Sequence, residues 1–303
     1  MSPAPKRDRR SSRGGSSRGR AASSASGRGQ GQRGGQRGGQ RSNQSRSPGR
    51  TQRPPDLGGD QVEGRRSVLE LLEADRRPVI KVMIAGEQDG SEHLDRIEAL
   101  CQQRRVVVEV VSRSRLEREA GTESHQGVIA KTRPLKPLDL EELMMNEGDR
   151  PPFLLVCDGV TDPHNLGSLL RSAECAGVTG IVLPRHRSAR VTPTVTKVAA
   201  GAVEYLRFSL VAGIPTALDQ LSKAGIEVVG LAGEARQSLF DLPINDTPIA
   251  LVVGSEEKGL AQLSRKRCTQ LASIPHVGAL ESLNASVAGA VAIFEVARQR
   301  ATR

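Results

Sequence analysis

Six short apolar segments alternate with stretches of helical character through the second half of the chain: FLLVCDGV from Phe153, GIVLP from Gly180, EYLRFSLV from Glu204, EVVGLAG from Glu227, PIALVVGS from Pro248 and LASIPHV from Leu271. A strand that is apolar along its whole length has to be covered on both faces, and strands separated by helices run parallel. The pattern therefore predicts a doubly covered parallel α/β sheet over residues 153–303. Ligands of such sheets bind outside the carboxyl ends of the strands, which points to the loops after Val160, Val253 and Pro275.

The last of these loops leads into the most distinctive segment, IPHVGALESLNASVAGAVAIFEVARQR from Ile274. GALESLN gathers turn and cap residues, and Asn284 stands where an N-cap belongs. Between Ala285 and Phe294 no residue is charged, so the helix should be buried nearly all round. Ala285 with Gly289, Ser286 with Ala290, and Ala288 with Ala292 place small residues four apart, which lets other backbones approach on more than one side. One sheet face supplies too little cover for such a helix, and a homodimer is the expected remedy. Glu281, Ser282 and Asn284 put three polar side chains at its mouth.

After the first strand, DGVTDPHNLGSLLRSAECAG reads as a helix begun by Asp162 and Pro163 and stopped at Gly177. Leu166, Leu169, Leu170, Ala173 and Ala176 share its apolar face, leaving Asn165 near the N-terminus and Arg171 on the polar side. After the fifth strand, GSEEKG puts Gly254 where backbone can approach a ligand, with Glu256 just beyond. There is no GxGxxG after a strand, no GxxxxGK[ST], no serine elbow and no metal-ligand cluster. By themselves these residues specify a ligand-binding α/β domain with RNA affinity.

The first half is organised differently. Residues 1–58 hold 14 of the 44 basic residues against only Asp8 and Asp56, so the remaining 30 basic and 32 acidic residues leave the rest of the chain near neutral. GQRGGQRGGQR from Gly31 repeats RGG and has nothing apolar to bury, which predicts a disordered tail that tethers RNA without specificity or merely solubilises the chain. Its Arg and Ser content resembles an organelle transit peptide, but its Gly and Gln content and lack of an apolar face do not. From Val62, helical spacing in SVLELLEA and HLDRIEALCQQ alternates with strand-like VIKVMIAG, VVVEVV and GVIAKT, predicting a small α/β domain over 59–133. Residues 134–152 read as a linker carrying a short helix. Cys101, Cys157, Cys175 and Cys268 are scattered and read as reduced, mostly buried thiols. No run is long and apolar enough to span a membrane.

The ordered set DPHNLGSLLRSA, GSEEKGL and IPHVGALESLNASVA resembles the three motifs of the SpoU family of RNA ribose 2'-O-methyltransferases, over about Phe153 to Arg300. VEGRRSVLELL and HQGVIA resemble the small L30e-like RNA-binding domain found in the branch that methylates guanosine in 23S-type ribosomal RNA. The resemblance implies a SPOUT methyltransferase sheet whose C-terminal part is tied in a trefoil knot, S-adenosylmethionine as cofactor, no metal, a homodimer and a cytoplasmic setting. It implies that backbone at Gly254, Ile274 and Leu283 holds the cofactor, and that Asn165, Arg171, Glu256, Ser282 and Asn284 form the active site, the arginine reaching it across a dimer interface. An arginine, with a pKa above about 12, is a poor general base. Arg171 is therefore expected to orient the ribose hydroxyl and neutralise phosphate or developing alkoxide, with Arg185, Arg187, Arg190 and Lys197 adding positive charge nearby. Alternative readings are a tRNA 2'-O-methyltransferase and a non-catalytic RNA-binding or ribosome-associated protein. The polar set across three loops disfavours the last.

Overall fold

A computed structural model describes residues 57–86, 90–186, 188–244, 247–279 and 282–301. The expected tail up to residue 56, and Arg187 and Glu281, lie outside the described residues.

The chain first builds a small mixed sheet from β1 (Gln61–Glu63), β2 (Val79–Ala85), β3 (Val107–Val111) and β4 (Val128–Thr132), with α1 (Arg65–Ala74), α2 (Glu92–Arg104) and α3 (Arg113–Glu119). Strand order is β1-β4-β2-β3. β4 is antiparallel to both neighbours, while β2 and β3, joined through α2, are parallel. Alternation along β2 sends Val82 and Ile84 to the α1 and α2 face, with Val68, Leu72 and Ile97. It sends Met83 and Ala85 to the other, where Leu116 of α3 packs. Neither β1, only three residues long, nor α3, with one buried residue, is visible in the sequence pattern.

After α4 (Leu140–Leu143) come β5 (Phe153–Asp158), α5 (Pro163–Cys175), β6 (Gly180–Pro184), α6 (Pro193–Val198), β7 (Phe208–Val211), α7 (Ile214–Lys223), β8 (Glu227–Leu231), β9 (Ile249–Gly254), α8 (Gln262–Arg267), β10 (Gln270–Ala272) and α9 (Ala285–Ala301). The six strands form one sheet in the order β10-β8-β9-β5-β6-β7, every neighbouring pair parallel, as the apolar runs predict. Leu155 and Cys157 face a core shared with α5, α6 and α9. Leu154 and Val156 face a second core against α4 and α7.

Three features depart from expectation. The third strand begins at Phe208 rather than Glu204, because Ala202–Glu204 forms a 3-10 turn and Glu204 is buried against an arginine of the small domain. Leu57 and Gly58, read as tail, are ordered: Leu57 is buried in the α5-side core of the large sheet, and Gly58 bridges Val191. Helix α9 is not buried all round within one chain. Ala285, Gly289, Ala292, Ile293 and Val296 face inward, but Val287 and Phe294 are each 48% exposed. Its small residues work as expected on the inner side, where a Cβ on Gly289 would stand 2.3 Å from Leu169 Cδ2 of α5. Cys101 and Cys157 are buried and Cys268 half-buried, whereas Cys175 is exposed.

Candidate active site

Strand β9 ends at Gly254, and the next residues turn straight back. Ser255 and Gly259 exchange both backbone hydrogen bonds (3.0 and 2.9 Å) across the intervening Glu256, Glu257 and Lys258. A Cβ on Gly254 would lie 2.1 Å from the Gly259 carbonyl carbon. Glycine is thus demanded by the chain's own turn, a closer neighbour than the ligand approach suggested by sequence.

The turn presents Glu256 to the start of α5. Asp162 caps this helix by accepting from the His164 N–H (3.1 Å), and Pro163 supplies a pre-set first residue. The cap aims the buried Asn165 side chain outward from the first turn. Asn165 Nδ2 donates to Glu256 Oε1 (2.8 Å), and Asn165 Oδ1 accepts from Asn284 Nδ2 (3.0 Å). Asn284 Oδ1 in turn accepts from the Ser286 N–H (2.9 Å), the Ser286 hydroxyl (2.6 Å) and the Val287 N–H (3.3 Å), which makes Asn284 the N-cap of α9. Each amide therefore has one orientation: cap duty turns Asn284 Nδ2 to Asn165, and that turns Asn165 Nδ2 to the carboxylate. The N-termini of α5 and α9 both lie beside this group, where their dipoles favour negative charge.

Beside this relay opens a cavity of about 570 Å³ at the carboxyl ends of β8, β9 and β10. Gly254, Ile274 and Leu283 line it together with Glu256 and Ser282. Five of the eight residues named from sequence thus share one cavity, and Asn165 and Asn284 are hydrogen-bonded to its rim. Arg171 is the exception. It is exposed on α5, six residues past Asn165 and so about 9 Å further along the axis, and it does not border the cavity. The wall formed by Leu231, Ala232, Gly233 and Glu234 after β8, and His276, were not singled out beforehand. The rule that ligands bind at carboxyl strand ends, applied to EVVGLAG as well, would have found the β8 loop. Of the described members of the basic group, Lys197 Nζ is tied to Ser124 of the small domain, Arg185 is exposed and donates to the Leu210 carbonyl (3.2 Å), and Arg190 is exposed.

Residues 152–294 match the SpoU rRNA Methylase family, and residues 61–138 match the family described as RNA 2'-O ribose methyltransferase substrate binding. The 23S rRNA (guanosine-2'-O-)-methyltransferase RlmB of Pectobacterium atrosepticum is 39% identical over 240 residues, covering 79% of this chain and 98% of that protein. RlmB of Photorhabdus laumondii is 40% identical over 244 residues, covering 80% and 98%. Among solved structures, the SpoU methyltransferase AviRb from Streptomyces viridochromogenes in complex with AdoMet superposes with a TM-score of 0.67 at 25% identity, covering 80% of this chain and 91% of that one.

Proposed function

From the premise that this chain belongs to the SpoU methyltransferase family, we propose that it transfers the methyl group of S-adenosylmethionine to the 2'-hydroxyl of a guanosine in 23S-type ribosomal RNA. The observation that carries the reading is the meeting of three loops, 91 and 119 residues apart in sequence, in one Glu256–Asn165–Asn284 relay on the rim of a cavity. A structural role alone does not require a carboxylate to be held by one amide that a second amide orients, beside an open cleft.

The cavity suits such a cofactor. Its inner wall is apolar (Val253, Ala272, Ile274, Ala285, Ala288), as an adenosyl group needs, and Glu256 and Glu257 line it beside Lys258, with Glu234 ion-paired to Arg265, an acidic excess that favours a cationic sulfonium. Backbone at Gly254, Ile274 and Leu283 would hold it. When bound, the cofactor supplies an electrophilic methyl group for in-line attack by an oxygen, so catalysis falls mainly to positioning. Glu256, steadied by Asn165 and Asn284, and Ser282 at the rim hold the ribose. Arg171 orients the hydroxyl and offsets phosphate or alkoxide charge.

Arg171 reaches that ribose from a second copy of the chain. Two observations support the homodimer: Arg171 is exposed and does not border its own cavity, and Val287 and Phe294, seven residues apart on one face of α9, are apolar and half exposed. The return of the chain after β10 supports a trefoil knot, since Ser273 bonds to Gln237 and Leu239 before α9 comes back against α5. The small sheet and the tail 1–58 supply RNA affinity, and a ribosomal RNA substrate supports a cytoplasmic setting. Among the described residues no helix is long and apolar enough to cross a membrane.

The test is methylation of deproteinised ribosomal RNA with labelled S-adenosylmethionine, followed by mapping of ribose methylation in ribosomal and transfer RNA. One guanosine 2'-O-methyl in the large-subunit RNA is expected. Label on a base nitrogen, or on transfer RNA alone, would overturn the assignment.

A further inference from the structure

We propose that Arg77 is the pin that locks the small domain against the large sheet, fixing the direction from which RNA held by the small sheet meets the cavity. The small domain is joined to the rest of the chain at two places, entry through Gly59 and exit through Arg133. One guanidinium holds both: Arg77 Nη1 donates to the Arg133 carbonyl (2.6 Å) and to the Gly59 carbonyl. Its other edge is taken by Glu204 in the 3-10 turn of the large domain, Nε to Oε2 at 2.8 Å and Nη2 to Oε1 at 2.6 Å. The pair is almost wholly buried, with side-chain exposures of 8% and 1%.

Any swing of the small domain must change the backbone at its two connecting strands, and both are tied to one another and to the large domain. Thr132 N–H donates to the Asp60 carbonyl (2.9 Å) and Leu135 N–H to the Gly58 carbonyl (2.9 Å), while Gly59 N–H donates to the Val191 carbonyl (2.7 Å). Arg77 closes this arrangement because its planar fork addresses a carboxylate on one edge and two carbonyls on another, which a lysine ammonium on a flexible stem does not match. The contacts around the pin set the angle at which it locks. Tyr205 Oη donates to Glu70 Oε2 (2.9 Å), Arg76 donates to the Tyr205 carbonyl (2.7 Å), and Ser67 Oγ donates to the Thr196 carbonyl (3.2 Å). A Cβ on Gly201 would stand 2.3 Å from Glu70 Cβ, so α1 lies directly on large-domain backbone. Arg77 does not border the cavity, and its part is positional.

The consequence for turnover rests on the methyl-transfer reading; the lock itself does not. Removing one partner of a buried pair strands the other, so Arg77→Ala risks misfolding, whereas replacing both by apolar groups of similar bulk preserves packing. The decisive variant is therefore the double Arg77→Met, Glu204→Leu in the full chain, with Arg77→Lys beside it. Hydrogen exchange should quicken on the order of tenfold or more at residues 58–60 and 132–135, with β9 and α9 unchanged, because only the hinge is released. Cofactor affinity by titration should match the parent. On a long ribosomal RNA fragment kcat/KM should fall roughly tenfold, on a scale where lost orientation alone costs that much. Parent-like exchange at both connecting strands in the double variant would overturn the lock. Faster exchange with unchanged kcat/KM would overturn the positioning role. A parent chain that methylates no RNA would count against the proposed reaction, and the exchange data would still judge the lock.

Discussion

The two sheets of this molecule are built from similar residues and meet opposite demands. Strands β5 and β9 run through the large sheet with no exposed residue, covered on both faces, and β9, with β8 and β10, ends in a loop that lines the cavity. Strand β3 ends the small sheet with Val107 at 60% and Val110 at 70% exposure, and it borders open space. Both are valine-rich, so composition does not separate them; position in the sheet does. A central parallel strand leaves no slack, and its carboxyl end becomes a place where geometry can be held. An edge strand has a free side and presents surface, which suits contact with something large.

Gly254→Ala tests the rigid side of this contrast most severely. The added methyl meets Gly259 backbone that closes a hydrogen-bonded turn, so we expect a loss of about 3 kcal/mol or more in denaturant unfolding and loss of cofactor binding by titration. Wild-type stability in this variant would mean that the turn gives way and the large sheet is less constrained than its burial implies.

Arg171→Ala separates function from packing within the same sheet. The side chain is exposed on α5, so thermal unfolding should stay within about 1 kcal/mol of the parent. Single-turnover methylation should fall on the order of a hundredfold, as when one preorganised donor is removed. A variant that folds and methylates at the parent rate would take Arg171 out of the mechanism. On the small sheet, Val110→Thr should change stability by no more than about 0.5 kcal/mol, and a larger loss would reveal a partner covering that edge.

The smallest effect concerns acid. Hydrogen bonds from Arg298 hold the Glu295 carboxyl below the usual carboxylate range, with burial opposing and Gln299 assisting. A depressed carboxylate stabilises the fold above its unfolded pKa, and that contribution fades as pH falls through the folded value. Glu295→Gln should therefore lower the melting temperature slightly near neutrality and narrow its gap from the parent on acidification below about pH 4. An equal gap at all pH values would show that the ion pair contributes nothing.

Legibility from sequence tracked how local the determining force is. The large-sheet strands were readable because burial on both faces writes itself as an unbroken apolar run, and Asn284 as a cap because capping acts within three residues. Tyr205 and Leu206 read with Phe208 as one strand across Arg207, but the chain at Glu204 is in a 3-10 turn held by Arg77, 127 residues away. The bond from Asn165 to Glu256 has no local signature, and only the ordered motifs brought the two residues together. The exposed stripe of α9 agrees with the expectation that one sheet face is too little cover for it, but an uncharged helix does not write which of its faces is left open.

The placement of Leu57 bears on how the chain is made. It lies in the core of the large sheet, yet about 95 residues separate it from β5, the first strand of that sheet. During synthesis the small domain, closed upon itself between β1 and β4, is finished while Leu57 still has no core to enter. Folding in the order of emergence would close the small domain before Leu57 finds its core. A chain beginning at β5 would lack Leu57 and leave a leucine-sized void beside Val191, so the segment before the small domain is part of the large sheet's core.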